Sequence, residues 1–308
     1  MNKTLIDNSA NLKMVSVLRE CISMTEMDTI RIATGYWDIP GTALVVDELQ
    51  KFLERDGSKL KLLIGKDPYV YANMLKEPKY ANKSYPGEFI RIGIDELADN
   101  LLDEHKQVIN LLLKYCDEEN KKIEIRTFKK NEDDESQFLH SKCYIFTSES
   151  KKTQAYGIIG SSNFTEKGLQ GNAELNYIED TAQIVRYGVE DELKGHVGWF
   201  EEKWERAEDW TQEFLEQILK PSKPVQQIEE EKEKEQEELS APLTPYELYI
   251  KLLQYKFGDL LDVDTTQVIS SYLPKNFSPL EYQMDAVKQC FGIMKAHGGF
   301  MLADVVGL

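Results

Sequence analysis

Phe138–Tyr177 reads FLHSKCYIFTSESKKTQAYGIIGSSNFTEKGLQGNAELNY, and the organisation of the chain follows from it. The apolar run Phe138–Phe146 has the length and composition of a strand. Ala155–Gly160 reads as a second strand, ending in the small residues Gly160, Ser161, Ser162 and Asn163. Leu175–Ile178 is a candidate third. Successive side chains on a strand alternate faces, so residues two apart point the same way. His140 and Lys142 are therefore expected to project together, with Ser141 and Cys143 on the opposite side. A histidine that can attack, beside a lysine that can hold an anionic oxygen, suits chemistry at phosphorus.

Upstream of this stretch the pattern alternates between periods. Thr29–Tyr36 alternates as a strand, Gly41–Phe52 carries Leu44, Val45, Leu49 and Phe52 at helical spacing, and Lys59–Ile64 is again strand-like. Strand, helix and strand with short connections predict a parallel βαβ pairing. Residues 9–24 and Asp95–Cys116 read as helices, Ile123–Phe128 as a further strand, and Ala182–Trp210 as one or two closing helices. Such alternation predicts a layered α/β domain over residues 1–222.

His-x-Lys, then Gly-Ser-x-Asn, then Glu174 in this order and spacing resembles the phospholipase D superfamily of phosphodiesterases and nucleases. The resemblance implies a mixed β-sheet flanked by helices, with the His-x-Lys strand near its centre. It implies a metal-independent reaction through a phosphohistidine. His140 would be the nucleophile, Lys142 and Asn163 would hold the non-bridging oxygens, Ser161 would line that pocket, and Glu174 would orient the imidazole. The family places an aspartate in a supporting position where this chain has Thr147. The family also needs two His-x-Lys motifs at one site, and this chain has one. His105, His196 and His297 lack a lysine two residues on. The resemblance therefore implies a homodimer in which a second His140 is the general acid.

Composition sets outer bounds. The 308 residues carry a net charge of −17 with 41% hydrophobic and 30% charged residues, a balance suited to a folded chain. Residues 223–308 hold 8 Lys/Arg against 14 Asp/Glu, or −6, which leaves 29 against 40, or −11, for residues 1–222. Neither part is basic, so strong non-specific phosphate binding is not expected. Local basic residues do gather at Lys121, Lys122, Arg126, Lys129, Lys130, Lys151 and Lys152, either as a solvated face or as a backbone-contacting patch. Cys21, Cys116, Cys143 and Cys290 are scattered without a C-x-x-C pair, which argues against zinc and against a disulfide framework. No apolar run approaches the roughly 20 residues of a membrane span, and the N-terminus lacks a secretory h-region. A cytoplasmic, non-membrane protein is expected.

Beyond Pro221 the composition changes. Residues 223–242, with EEEKEKEQEE at 229–238, read as an acidic linker, either a solvated helix or disordered. Thr244-Pro245-Tyr246-Glu247 has the form of a helix start. Leu280-Glu281-Tyr282-Gln283, with the run Gly299–Leu308, resembles the opening of a superfamily 2 helicase motor in residues 243–308. In that resemblance Gln283 would contact adenine, and Asp304 would begin a phosphate-binding loop whose glycine, lysine and threonine do not follow. ATP and magnesium are thus expected only of a complete motor. The function expected of residues 1–222 is a nuclease, with DNA as the most plausible partner in the setting of a helicase-nuclease. The alternative is a catalytically inactive module of the same fold that binds nucleic acid or dimerises.

Overall fold

The computed structural model describes residues 5–10, 12–65, 78, 87–128, 139–189, 194–240 and 244–261, with short pieces between 285 and 299. Gln283 and residues 300–308, on which the helicase reading rests, lie outside the described residues. So do Lys66, Lys129, Lys130 and Phe138. The chain divides into two compact units, Met1–Lys234 and Glu235–Leu308.

The first unit is built on an eight-stranded mixed sheet. Its strands are β1 (Leu5–Ile6), β2 (Thr29–Thr34), β3 (Lys59–Ile64), β4 (Ile123–Thr127), β5 (Lys142–Thr147), β6 (Ala155–Gly160), β7 (Asn176–Glu179) and β8 (Glu208–Asp209), in the spatial order β1-β7-β6-β5-β2-β3-β4-β8. β2, β3 and β4 run parallel, as the βαβ pattern predicts, and β5, β6 and β7 continue from β2 as antiparallel neighbours. The expected mixed sheet flanked by helices is the fold observed, with β5 among its central strands.

β2 and β5 are buried along their whole length because helices cover both faces of the sheet. On one face Ile30, Ile32, Leu60, Leu62, Tyr144 and Phe146 pack against helices that include Met14–Ser23, Val46–Leu53 and Asp103–Tyr115. On the other, Ala33, Leu63, Cys143 and Ile145 pack against Val185 of the helix Ala182–Tyr187 and Phe200 and Trp204 of the helix His196–Glu205. Each fully buried side chain of this size contributes on the order of 1.5–3 kcal/mol. Tyr144 keeps its hydroxyl satisfied by donating to the Ser162 carbonyl at 2.9 Å.

Several expected elements are shorter or divided. Gly41–Phe52 is two helices, Ile39–Ala43 and Val46–Leu53. Asp38 caps the first and Pro40 sits in its opening turn, so the helix starts earlier than apolar spacing indicated. Asp95–Cys116 is likewise divided. The helix Gly87–Glu96 passes through a 3₁₀ turn, Leu97–Asn100, into extended residues Leu101 and Leu102 before Asp103–Tyr115. Asp99 and Asn100 favour turns over helix interior, and the apolar spacing continues across the break and hides it.

The segment read as a linker is a helix, Lys223–Ser240. Its first turns are part of the core, since Val225 and Ile228 are buried. In the second unit the helix Pro245–Leu261 starts where Thr244-Pro245 placed it, and Tyr249 and Leu252 on it are exposed. Among the described residues no helix is long and apolar enough to cross a membrane.

Candidate active site

Antiparallel pairing gathers the sequence-predicted residues at one end of the sheet. The C-terminal end of β2, the start of β5, the end of β6 and the start of β7 coincide there, with Ala33 opposite Cys143, and Lys142, Gly160 and Asn176 in one row. Gly35 leaves β2 at this edge, His140 precedes β5, Ser161–Asn163 follow β6, and Glu174 precedes β7.

His140 is not on the strand. β5 begins at Lys142, because β2 turns away after Thr34 and offers residues 140 and 141 no ladder partner. The expectation of a shared strand face is corrected accordingly. His140 is exposed, whereas Lys142 is buried and its ammonium donates to the His140 carbonyl at 2.7 Å. The two side chains still converge: His140 Cδ2 and Lys142 Nζ each lie 3.7 Å from where a Cβ on Gly35 would stand. Ser141 and Cys143 line a cavity of about 590 Å³ with Ile159, His196 and Trp199. Burial pushes the Cys143 thiol up to about 12, which keeps it a thiol and excludes it as a nucleophile near neutral pH.

Asn163 is held by β2 and the loop after it. Its Oδ1 accepts from the Tyr36 N–H at 3.1 Å and from Thr34 Oγ1 at 3.3 Å. Of the two ends of the carboxamide only the oxygen can accept from a backbone N–H, so the amide orientation is fixed and the NH₂ points elsewhere. In the turn that follows, Thr165 Oγ1 accepts from Gly168 N at 3.2 Å. Gly160 must be a glycine, since a Cβ there would lie 2.3 Å from Asn176 Oδ1 and 2.4 Å from the Leu175 carbonyl oxygen. Asn176 in turn accepts from Ser162 N at 3.1 Å and donates to Ser162 Oγ at 2.9 Å, locking the strand end that carries Asn163.

Ser161 Oγ donates to the Glu174 carboxylate and accepts from Leu175 N at 3.0 Å; Asn172 Nδ2 donates to the other Glu174 oxygen at 3.3 Å. The hydrogen bonds of Glu174 among the described residues are thus to Ser161 and Asn172. The pair Ser161–Glu174 stands together at the rim, and Gly35, His140, Lys142 and Asn163 form the centre.

Two features of the site lay outside the sequence reading. Asp38 ties the loop after β2 to the loop after β6. Its Oδ1 accepts from Gly41 N at 2.6 Å and Glu166 N at 3.2 Å, and its backbone N–H donates to the Phe164 carbonyl at 3.3 Å. Burial pushes its carboxyl up to about 6, against the pull of these two N–H donors. An aspartate followed by Ile-Pro-Gly is a helix-start signal, which could have located the cap but not its bond to the second loop. The other feature concerns Thr147, at the far end of β5. Five residues from Lys142, it lies roughly 16 Å along the strand. Its hydroxyl accepts from Arg31 at 2.8 Å, and Arg31 and Lys61 share the carboxylate of Glu201 at 2.5 and 2.9 Å. A carboxylate from the helix His196–Glu205 therefore neutralises the buried Arg31 beside the position where the resemblance would place an aspartate.

The aromatic residues after β2 include one that belongs to the core. Trp37 is buried, donates Nε1–H to Thr42 Oγ1 at 2.8 Å and meets Phe214 edge-on. The basic group is partly structural too. Lys122 donates to the carbonyls of Leu53 and Arg55, Arg126 stacks 4.6 Å above the Trp204 ring, and Lys121 pairs with Asp209 at 3.6 Å.

Together the mixed sheet and the grouping of histidine, lysine and asparagine at its edge define a phospholipase D-like protein. The chain belongs to the family described as cardiolipin synthase, PLD-like domain, whose model matches residues 18–194, more than half of its length. No match was found among curated proteins. Among solved structures it is similar to a phospholipase D family member, Nuc from Salmonella typhimurium, at 14% identity and a TM-score of 0.34 over 63% of this chain and 88% of that one. NucT from Helicobacter pylori shares 10% identity with a TM-score of 0.34 over 64% and 90%. The phosphatidylserine synthase of Haemophilus influenzae Rd KW20 shares 13%, with a TM-score of 0.41 over 74% and 46%.

Proposed function

We propose that the first unit is a phosphodiesterase acting on nucleic acid, with DNA as the expected substrate. The observation that carries this reading is the convergence of His140, Lys142 and Asn163 about Gly35. In the first step an imidazole nitrogen of His140 forms a bond to phosphorus as the bond to the leaving oxygen breaks. That oxygen takes a proton from the imidazolium of a second His140, contributed by another copy of the chain. In the second step water attacks phosphorus, its proton passes to the second imidazole, and the nitrogen–phosphorus bond breaks. Lys142 and the Asn163 amide hold the negative oxygens, the role that preorganised donors fill in phosphoryl transfer. These groups supply the charge stabilisation themselves, so the reaction is expected to proceed without a metal.

The exposure of His140 supports water as the acceptor in the second step. Ser161 and Glu174 are assigned to the rim, where they shape access. A composite site of this kind requires a homodimer. The association with a helicase motor that uses ATP and magnesium rests on the sequence around Gln283 and Asp304 alone. One observation favours the alternative of an inactive binding or dimerisation module: the chain is acidic, and Lys121, Lys122 and Arg126 are taken up by internal partners.

The test is hydrolysis of a chromogenic phosphodiester and of single- and double-stranded DNA and RNA in the presence of EDTA, with acid-quench trapping of a phosphohistidine. The full chain should turn over at least one of these, and His140→Ala should abolish turnover without a change in Tm, because the side chain is exposed. Inertness toward all of them would refute the reading and leave the inactive module.

A further inference from the structure

Asp38 belongs to none of the motifs, yet its bonds run to the turn that carries Asn163. That turn, residues 163–168, is stitched in order to the chain at and after the end of β2. Asn163 Oδ1 accepts from Tyr36 N at 3.1 Å, Phe164 N donates to Thr34 Oγ1 at 3.0 Å, and the Phe164 carbonyl accepts from Asp38 N at 3.3 Å. Trp37 pairs with Phe164 as a parallel bridge between these contacts. The Asp38 carboxylate makes the last stitch, since Oδ1 accepts from Glu166 N at 3.2 Å as well as from Gly41 N at 2.6 Å. For capping the helix Ile39–Ala43 the bond to Gly41 N is enough. The bond to Glu166 N spans 128 positions and serves the turn instead.

The turn has little room to absorb a shift at Glu166. A Cβ on Gly41 would lie 2.5 Å from the Thr165 carbonyl carbon, so the capped helix abuts that backbone directly. A Cβ on Gly168 would lie 2.4 Å from the Asn163 carbonyl oxygen, so the turn folds back on Asn163 itself. Gly168 N and Leu169 N close it by donating to Thr165 Oγ1 and the Thr165 carbonyl. Movement at Glu166 is thereby passed to Asn163.

We propose that Asp38 is a positioning residue, which sets the Asn163 carboxamide from outside the phosphoryl site. This rests on the phosphodiesterase reading and deepens it by naming a residue that acts through another. Without the carboxylate, Glu166 N and Gly41 N turn to water, the helix and the turn part, and the carboxamide drifts. A hydrogen-bond donor stabilises developing charge only while it is held in place beforehand, and a displacement of about 1 Å is enough to cost about 10²-fold. The loss falls on kcat, with KM nearly unchanged, because the carboxamide acts on charge that develops in the transition state.

Asp38→Ala and Asp38→Asn in the full chain test this, with Asp28→Ala as control. Asp28 is a comparable strut at the opposite end of β2, its carboxylate accepting from Thr29 Oγ1 and from Glu149 N at 2.8 Å each. Asp38→Ala should lower kcat on the chromogenic phosphodiester by about tenfold or more, leave KM within about twofold, and speed hydrogen exchange at the Tyr36 amide by about tenfold or more. Asp38→Asn keeps an acceptor oxygen and should match wild type in all three, as should Asp28→Ala. In an Asn163→Ala background, Asp38→Ala should lower kcat by less than about twofold further, since its effect passes through the missing carboxamide.

A folded Asp38→Ala protein in which either kcat or Tyr36 exchange stays at the wild-type value overturns the proposal. So does an Asn variant as impaired as the Ala variant, or a full further loss of kcat in the Asn163→Ala background. If wild type hydrolyses no diester, the phosphodiesterase reading falls and Tyr36 exchange alone decides. Faster exchange in Asp38→Ala but not in Asp38→Asn then upholds the strut, and equal exchange in both refutes it. Should Asp38→Ala misfold, Asp38→Ser takes its place in every comparison, because serine still caps Gly41 N while its shorter side chain falls short of Glu166 N.

Discussion

Asp38 offers the most quantitative test of how the site is held. Its carboxyl is pushed up to about 6 from an ordinary 3.8 because burial penalises the charged form more than the two N–H donors support it. A proton is then bound more tightly in the folded than in the unfolded chain. The stabilisation tied to that proton is complete below about pH 4, is lost as the pH rises toward 6, and is absent above that. The difference corresponds to about 3 kcal/mol, at about 1.4 kcal/mol per tenfold in affinity. Asp38→Asn keeps an acceptor oxygen for Gly41 N and Glu166 N and removes the charge. Its unfolding free energy should exceed that of wild type by up to about 3 kcal/mol at pH 7.5, with the gap closing toward pH 4. Asp38→Ala loses both acceptances at every pH and should fall about 1–2 kcal/mol below the Asn variant. Urea denaturation followed by tryptophan fluorescence between pH 4 and 8 gives the difference directly, and buried Trp37 is the reporter next door. A wild-type-minus-Asn difference that stays flat across this range would refute the argument, since it would mean that Asp38 ionises as readily in the folded chain as in water.

Asn163→Ala removes the carboxamide oxygen that accepts from Tyr36 N, while Thr34 Oγ1 keeps the Tyr36 carbonyl as its acceptor. It should cost about 1–3 kcal/mol in chemical denaturation, beside a loss of turnover on the order of 10²-fold or more if the amide holds a phosphoryl oxygen; unchanged turnover would remove Asn163 from the site. Glu201→Gln strips Arg31 and Lys61 of their shared carboxylate. It should destabilise the chain by about 1–2 kcal/mol, a figure kept low because the Glu201 side chain is 30% exposed. Adding Thr147→Asp should recover part of that loss by returning a carboxylate to Arg31, and failure of the double variant to recover any would show that Glu201 does not stand in for the missing aspartate.

Periodicity determined a good deal by itself. The parallel β2–β3 pair, β6 and the helix start at Pro245 follow from alternation, helical spacing and capping chemistry, which are local properties of the chain. The residue types for phosphorus chemistry were also visible, because His140, Lys142 and Asn163 carry their chemistry wherever they stand. Three things were decided only by tertiary structure. His140 sits off the strand because β2 turns away at Gly35, and a ladder partner is a property of the neighbouring strand. The division of Asp95–Cys116 was masked because apolar spacing carries on through the break, and only packing distinguishes one long helix from two. Gly35, Asp38 and Glu201 gave no signal of their role: each acts on residues more than a hundred positions away, through contacts that exist once antiparallel β5 and β6 have folded back beside β2. The sequence supplied the reactive groups; the sheet edge supplied the space between them.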